Sequence, residues 1–367
     1  MQRRGFLTCA GILSAGLLFP FGKLFGKALT DTENSKIWLS ILEYAKWSPS
    51  PHNVQPWKLK IISGTEAGLY YDPKRVPFVV DPDTGFTIAS MGMFIECMNI
   101  AAAYEGFKVV TEHESEAQMN NAATEPKLFA RLYLVATNEK PYTDRELIKK
   151  RRTSRLPYDG GVLNHELVKE LEYLASIHGH ILHYTSDKEL IDYAIDLNSK
   201  AILLESDDTA VRDEMSKWMR CSDQEAEEMK DGLSNRCMCV SGKLLKNFME
   251  HHNRFKSKWK RNLTHKMMNK GMHGTSNMAW ITGPFENRND WLKAGVMLQR
   301  LWLEMTKQNI YLHPMGTIVT IPSQHEIFRQ HINYDESNGT LWLLVRLGHS
   351  SEPARSYRLD TKNILIA

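Results

Sequence analysis

The sequence lacks the short motifs that mark the common nucleotide-binding and hydrolytic enzymes. No GxGxxG follows a strand-like run, and no P-loop, HExxH or GxSxG occurs. The usual signatures of dinucleotide folds, P-loop NTPases, zinc proteases and α/β-hydrolases are therefore excluded. Any catalytic or binding chemistry must come from residues that are dispersed along the chain.

The net charge is small, and cysteines are few. The 367 residues carry a net charge of +3, which gives no support for a nucleic-acid partner. Lysine and arginine do concentrate over residues 243–270, but Glu250 and several histidines interrupt this run, and we interpret it as a solvated face. Of five cysteines, Cys221, Cys237 and Cys239 fall in one region. An oxidising compartment would permit a disulfide there, but spacing alone does not assign a pair.

The N-terminus has the pattern of an export signal. Arg3 and Arg4 in "QRRGFL" precede an uncharged stretch over residues 5–22, which is too short and glycine-rich for a membrane span. This pattern predicts a twin-arginine signal in residues 1–30 and a periplasmic protein. "GKALT" is a loose candidate for the cleavage site, and an uncleaved signal would tether the protein to the membrane.

The rest of the chain is an imperfect repeat. "ASMGMFIECMNIAAAYEGFKV" and "LKAGVMLQRLWLEMTKQNIYL" align without a gap, and both have the apolar spacing of a long helix. Gly92 aligns with Gly295, and Gly106 aligns with Asn309, the two residue types that most often follow a helix C-terminus. Similar helix and strand patterns flank both stretches. We therefore predict a duplicated α+β fold with halves at 31–145 and 146–367, each with a mainly antiparallel sheet and a long central helix.

The second half contains an extra segment, residues 207–287, which holds nine of the 17 methionines. We predict a mostly helical insertion there. Methionine packs adaptably, so a lid over a flat apolar ligand and an ordinary accessory subdomain both stay open. A copper site built from the soft side chains of this segment has no regular ligand spacing to support it.

Three dispersed stretches carry polar side chains suited to a ligand. In "WSPSPHNVQPWKL", prolines brace a polar cluster between a helix and a strand. "KKRRTSRLPY" offers guanidinium groups and a hydroxyl, which suit a phosphate, and "RLGHSSEPARSYRLD" follows the last predicted strand. Taken singly, each basic stretch is typical of a solvated surface. The candidate residues of the three stretches are Pro49, Ser50, His52, Asn53 and Gln55, then Arg151, Arg152, Thr153 and Arg155, and finally Arg355 and Arg358.

Together the three stretches resemble the nitroreductase-like flavoproteins. "KWSPSPHNVQPW" is similar to the family's AxSxxNxQPW element, and "RRTSRLPYDGGVLNHELVKEL" is similar to its arginine-rich RxSxR start, with Thr153 in place of serine. "HPMG" lies where the family has a turn over the flavin N5 atom. Met315 replaces the family's acidic residue in that turn, so only the backbone near N5, at Met315, Gly316 and Thr317, is carried over. The resemblance covers most of the chain after residue 30, except the extra segment.

The resemblance implies a nitroreductase-like fold that binds FMN, in the tandem or fused-dimer branch of the family. Family dimers build each FMN site from both subunits. In this chain the arginines of the second half and the polar cluster of the first half would form one such site. The mirror site lacks both the arginine-rich start and the Asn-x-Gln-Pro-Trp element. One FMN per chain is therefore expected, and a monomer whose two halves resemble a dimer can form this site. Trp47 and Trp57 are expected in the core.

Two functions stay open at this stage. An FMN-dependent oxidoreductase would pass two electrons through flavin N5 between a small-molecule donor and acceptor, without a side chain that we nominate as acid or base. The periplasm holds little NAD(P)H, so the alternative is an exported FMN-binding or storage protein with a lidded site and little turnover. Neither function needs nucleic acid or a metal, and contact with a membrane is expected only through the export signal.

Overall fold

The computed structural model describes residues 31–114 and 119–367. Arg3 and Arg4, and with them the export prediction, lie outside the described residues. The first part of the described chain forms one four-stranded antiparallel sheet in the order β1-β2-β4-β3. Its elements are α1 (Asp31–Ala45), β1 (Trp57–Ile61), β2 (Glu66–Tyr71), α2 (Gly85–Tyr104), β3 (Phe107–His113), β4 (Lys127–Ala136) and the short α3 (Glu146–Lys150).

The second part forms another four-stranded antiparallel sheet, in the order β5-β8-β10-β9. Short strands β6 and β7 pair with each other, in parallel, outside it. The elements are α4 (His165–Ser176), β5 (Ile181–Thr185), α5 (Lys188–Glu205), α6 (Thr209–Ser216), β6 (Met219–Arg220), α7 (Asp223–Met229), β7 (Leu233–Ser234), α8 (Gly242–Glu250), α9 (Lys258–Gly271), β8 (Asn277–Gly283), α10 (Arg288–Lys307), β9 (Tyr311–Pro314), α11 (Gly316–Thr320), α12 (Pro322–His331), β10 (Thr340–Gly348) and α13 (Thr361–Ile364).

The two sheets have the same topology. Strands β1, β2, β3 and β4 correspond in chain order and in sheet position to β5, β8, β9 and β10, and each sheet has its long helix, α2 or α10, at the same point of the sequence. This confirms the predicted α+β fold of two pseudo-repeated halves.

The long helices α2 and α10 cross where the alignment pairs two glycines. A Cβ atom at Gly92 would overlap the carbonyl oxygen of Leu292, and one at Gly295 would overlap the carbonyl oxygen of Ala89. Ala89 and Leu292 are themselves aligned, so the contact is the same from both sides, as at a twofold interface. Glycine is required at both positions because the two backbones touch.

Both long helices also end as the alignment predicts. Gly106 and Asn309 follow α2 and α10 with φ values of 80° and 56°, in the left-handed region that glycine and asparagine tolerate. Among the described residues, α2 alone is long and apolar enough to cross a membrane. It is a core helix, since 78% of its most apolar window is buried, and Trp57 stacks on its Phe94 at 4.6 Å between ring centroids.

The insertion is mostly helical, as predicted, but its boundaries differ from 207–287. The helical insertion runs over residues 188–271, between β5 and β8, and so begins with α5. The predicted segment also took in β8, which is the second strand of the sheet. Six of the seven residues of β8 are buried, so the strand has no alternation of apolar and polar residues to distinguish it from a buried helix segment. The division of the chain at residue 145 stays a prediction.

Candidate functional site

The three predicted stretches meet at the end of α1. The backbone carbonyl of Trp47 accepts hydrogen bonds from Arg151 at 3.2 Å and from Arg358 at 3.4 Å. The guanidinium carbon of Arg355 lies 3.7 Å from the centroid of the Trp47 indole ring. Trp47 is therefore partly buried beneath arginines rather than fully in the core, and it joins the first half to both basic stretches of the second.

The predicted arginines form a group with little negative charge. Among the described residues, the only carboxylate in an ion pair with them is Glu352, which lies 2.6 Å from Arg152 and has a side chain 71% exposed. Burial lowers the pKa of Arg151 to about 10 and, together with the positive charge of Arg151, lowers the pKa of Arg358 to about 9. Buried cations without a counter-charge are unfavourable, so this group is suited to an anion. We call it the arginine cluster: Arg151, Arg152, Arg155, Arg355 and Arg358.

Several polar atoms of the cluster and its neighbours are buried without a hydrogen-bond partner. They include Nε of Arg151, Arg152 and Arg358, Oδ1 of Asn53 and Nδ1 of His52. Buried polar groups are nearly always hydrogen-bonded in native proteins. Four of these five atoms are potential donors, counting the histidine nitrogen, which again fits an anionic ligand with several acceptor oxygens.

Arg155 is the member of the arginine cluster that contacts the helical insertion. Its Nη1 donates to the carbonyl of Cys237 at 3.3 Å. Burial, helped by the positive charge of Arg155, lowers the pKa of His52 to about 4, so the imidazole is neutral at pH 7. Neither His52 nor Asn53 forms a hydrogen bond with Arg155; both lie on the loop that follows α1.

The Asn53 amide is bound by other parts of the chain. Its Nδ2 donates to the carbonyls of Gly232 and Tyr357, both at 3.1 Å. The backbone carbonyl of Asn53 accepts from the Gly232 N–H at 3.2 Å. The φ values of His52, Asn53 and Gln55, between 47° and 57°, give the loop a left-handed backbone at three places. The side chain thus links the loop to the helical insertion and to the C-terminal stretch.

Gln55 is likewise satisfied within the protein. Its Nε2 donates to the carbonyl of Lys230 at 2.9 Å, and its Oε1 accepts from the Leu359 N–H at 2.8 Å. Ser50 Oγ accepts from the Gln55 N–H at 2.9 Å, while Pro49 is partly buried just before it. Sequence analysis expected these amides to face a ligand, whereas the structure pairs most of them with backbone groups far away in the chain.

The segment that covers these amides is anchored by a buried acid. We call residues 218–239 the strap. The Asp231 side chain, 2% exposed, accepts from Arg220 Nε at 3.1 Å within the strap and from Arg75 at 2.9 Å in the first half. A second ion pair joins Lys230 to Asp360 at 2.7 Å. The strap is therefore fixed to both halves at the edge of the candidate site.

The remaining predicted residues either pair with β9 or follow it directly in the chain. Thr153 forms an isolated parallel bridge with Leu312. Met315 is buried, and its N–H donates to the Leu344 carbonyl at 2.8 Å. Gly316 and Thr317 begin α11, and a Cβ atom at Gly316 would have no neighbour within 4 Å.

Sequence analysis missed a buried arginine beside the cluster. Arg346 of β10 is fully buried, donates from Nε to His313 Nδ1 at 3.0 Å, and lies 4.2 Å from the Tyr158 ring centroid. Burial, Arg155 and Arg346 together hold the pKa of His313 well below its usual range. The available signal was a charged residue in the apolar strand "LWLLVRLG", since a buried arginine needs a reason.

Cysteines and metals contribute no site in the part of the chain that the structure describes. Cys97, Cys221, Cys237 and Cys239 are free thiols. No group of three or more His, Cys, Asp or Glu residues could hold a metal ion in that part of the chain.

The mirror position of the repeated fold, which both halves line, differs chemically. A shallow cavity of about 230 Å³ there is lined by His113, His178 and Lys293 beside the α2–α10 crossing, with no arginine among its lining residues. His113 precedes Gly316 by 203 residues, the offset that also separates Gly92 from Gly295. The duplicated fold therefore carries two unlike positions, and the arginine cluster occurs at one of them.

No protein-family model and no curated protein matches the sequence. Solved structures that match include an FMN-dependent nitroreductase of Mycobacterium smegmatis in complex with NADPH, at 14% identity over 59% of this chain and 94% of that one, with a TM-score of 0.35. A nitroreductase of Bacteroides fragilis with bound FMN matches at 13% identity over 60% and 97%, with a TM-score of 0.36. An FMN and NADPH-dependent nitroreductase of a Sphigopyxis strain matches at 11% over 60% and 97%, with a TM-score of 0.38. These identities and TM-scores are too low to carry an argument about function.

Proposed function

We propose that this chain binds FMN and is an FMN-dependent oxidoreductase of the nitroreductase-like family. The observation that carries the proposal is the arginine cluster. Its five arginines have one ion-pair partner among the described carboxylates, the exposed Glu352, and two of them donate hydrogen bonds to the Trp47 carbonyl in the first half. A flavin phosphate carries up to two negative charges and several acceptor oxygens, and arginine forks bind such groups with charge-assisted hydrogen bonds. The resemblance of the same stretches to the family's motifs supports the same cofactor.

The chain's residues have distinct roles in this proposal. Arg151, Arg358 and Arg155 bind the phosphate, and the Thr153 hydroxyl lies on the same stretch. As the resemblance implies, the backbone of Gly316 and Thr317 would lie near the flavin N5 atom, and the strap would exclude water. When bound, FMN supplies two-electron transfer through N5 between a small-molecule donor and acceptor.

The cofactor proposal is tested by binding. The purified protein should be yellow, and the FMN-free protein should quench flavin fluorescence on titration. Arg155→Ala and Arg358→Met should each weaken FMN binding by roughly tenfold to a hundredfold, since each removes a charge-assisted hydrogen bond. Arg131→Ala, on the exposed sheet of the first half, is the control and should bind like the wild type. A protein that never binds FMN, or cluster variants with unchanged affinity, would disprove the proposal.

A measurement of stability separates lost binding from lost folding. Replacing a buried cation that has no counter-charge by an apolar side chain of similar length should keep or raise the stability of the protein without FMN. Arg358→Met should therefore melt at or above the FMN-free wild type while binding FMN poorly. A variant that binds poorly and also melts well below the wild type would indicate misfolding instead.

One observation favours a second function, an FMN-binding or storage protein with little turnover. Asn53, Gln55 and Arg155 are all hydrogen-bonded to the strap, so the chain itself covers the site. Anaerobic mixing with NADH or NADPH distinguishes the two functions. Rapid bleaching of the flavin supports the oxidoreductase, whereas reduction by dithionite but by neither nicotinamide supports storage.

We also propose that residues 1–30 export the folded protein to the periplasm by the twin-arginine route. Arg3 and Arg4 before an uncharged stretch support this location. Changing both arginines to lysine should leave the protein in the cytoplasmic fraction, and periplasmic protein in the same amount as wild type would contradict it.

A further inference from the structure

Helix α9, within the helical insertion, exposes large apolar side chains on one face. Trp259 is 64% exposed, Leu263 is 51% exposed and Met267 is 53% exposed. These residues are four positions apart, so they follow one another along one face of the helix. No residue of α9 is buried, and three such side chains in a row are unusual on a face that meets only water.

The opposite face of α9 is the one attached to the protein. Arg261 forms an ion pair with Asp207 at 2.8 Å, and His265 Nε2 lies 3.0 Å from a carboxylate oxygen of Asp196 on α5. Both residues lie on the side of the helix away from Trp259 and Leu263. The polar face of α9 contacts the rest of the protein, so the apolar side chains on the opposite face point toward solvent.

The charge around α9 is strongly positive. Residues 243–270 hold nine lysines and arginines against one acid, Glu250, a net charge of +8, whereas the whole chain has +3. The rest of the chain is therefore net negative by five, and the positive charge is a local property of this segment. Lys266 and Lys270 are exposed and lie on the same face of the helix as the apolar side chains.

We propose that α9 docks this protein on the surface of an anionic phospholipid bilayer. Lysines attract the lipid headgroups, and their long aliphatic stems allow the charge to stay at headgroup level while neighbouring apolar groups enter the acyl boundary. Trp259 would lie at the interface, and Leu263 and Met267 would insert beside it. Nucleic acid would satisfy the lysines and the indole ring but gives no reason for exposed Leu263 and Met267. The inference does not depend on FMN.

Vesicle binding tests the inference on the full-length chain. Wild-type protein should sediment with vesicles of phosphatidylglycerol and phosphatidylcholine, but not with vesicles of phosphatidylcholine alone, and added salt should release it. Trp259 fluorescence should shift to the blue on binding. The charge variant Lys266→Glu/Lys270→Glu should reduce binding by at least about tenfold, because each basic residue near the surface contributes to attraction.

Matched variants separate the roles of charge and apolar contact. The variant Trp259→Ser/Leu263→Ser/Met267→Ser should lose vesicle binding with unchanged thermal unfolding, since all three side chains are exposed. Tyr173→Ser, at another exposed aromatic residue (67%) on α4, should bind like wild type. The inference is overturned if wild type does not bind anionic vesicles, or if the triple serine variant binds them as well as wild type. Tighter binding of the chain to duplex DNA or RNA than to the vesicles would also overturn it.

Discussion

His52 shows how one side chain couples the candidate site to pH. Its imidazole is neutral in the folded protein because burial and Arg155 lower the pKa to about 4, whereas in the unfolded chain it is protonated below its ordinary value of about 6.5. Between these two pKa values only the unfolded state binds the extra proton. The contribution of His52 to the free energy of unfolding is therefore fully present above pH 6.5 and is lost as the pH falls toward 4. Asparagine tolerates the left-handed backbone of this position, where φ is 47°.

His52→Asn should therefore reduce the acid sensitivity of the fold. Between pH 7 and pH 5, the free energy of unfolding should fall by about 1–2 kcal/mol less in the variant than in the wild type. Urea unfolding at the two pH values measures the difference. His165→Asn, at an exposed histidine, is the control and should leave the pH dependence as it is. An identical loss of stability in His52→Asn and wild type would show that His52 does not titrate as argued.

At the scale of single residues, the sequence predicted which residues belong to the candidate site better than it predicted their hydrogen-bond partners. The proline-braced loop and the arginine-rich stretch marked Asn53 and Arg155 because such clusters are uncommon. The partners of Asn53 could not be predicted, since they are backbone carbonyls of Gly232 and Tyr357 that only the folded chain brings near. Arg346 was missed because an apolar strand surrounds it, and periodicity assigns such a strand to the core.

At the scale of elements, the α2–α10 crossing depends on glycine. Gly92→Ala and Gly295→Ala each place a methyl group against a backbone carbonyl that cannot move aside. Each should lower the free energy of unfolding by roughly 1–3 kcal/mol, as expected for overpacking. The control is Gly271→Ala at the end of α9, where a Cβ atom meets nothing within 4 Å; it should be neutral or slightly stabilising. Equal stabilities of all three variants would contradict the close crossing.

The strap depends on Asp231 in a comparable way. Its carboxylate joins Arg220 to Arg75 and is almost fully buried, so neutralising it leaves two cations poorly paired. Asp231→Asn should loosen the strap, which amide hydrogen exchange of Gly232 and Leu233 would detect as faster exchange, and bound FMN should be released faster. Asp213→Asn, at an exposed position of α6, should change neither rate. Slow exchange retained in Asp231→Asn would mean that the strap is held by other contacts.

The sequence predicted helices and strands well where periodicity was strong. The gap-free alignment located α2, α10 and their left-handed ends because a duplicated segment must satisfy the same packing twice. It failed at α5 and β8, where the helical insertion joins the repeat, since the mostly buried run "NMAWITG" has no two-residue alternation. The site-covering role of the strap also needed the structure, because its sequence has no motif of its own.

At the scale of the whole molecule, the two halves share a topology but not a chemistry. The pseudo-twofold crossing of α2 and α10 would relate two equivalent sites in a symmetric dimer. In this chain one position has the arginine cluster, and the other has a cavity lined by His113, His178 and Lys293. Because both halves lie in one chain, the two positions can differ, and a phosphate-sized anion with two charges should be bound at the cluster alone.

This asymmetry predicts a stoichiometry of one FMN per chain. Calorimetric titration of FMN-free wild type should give one site. Arg151→Met/Arg358→Met should abolish binding altogether, because the residues that the structure describes form no second arginine cluster to replace the first. His178→Ala/Lys293→Ala, at the mirror cavity, should leave both stoichiometry and affinity unchanged. Two FMN sites in the wild type, with one surviving in the arginine variant, would show that both positions bind the cofactor and that the halves are functionally equivalent despite their different side chains.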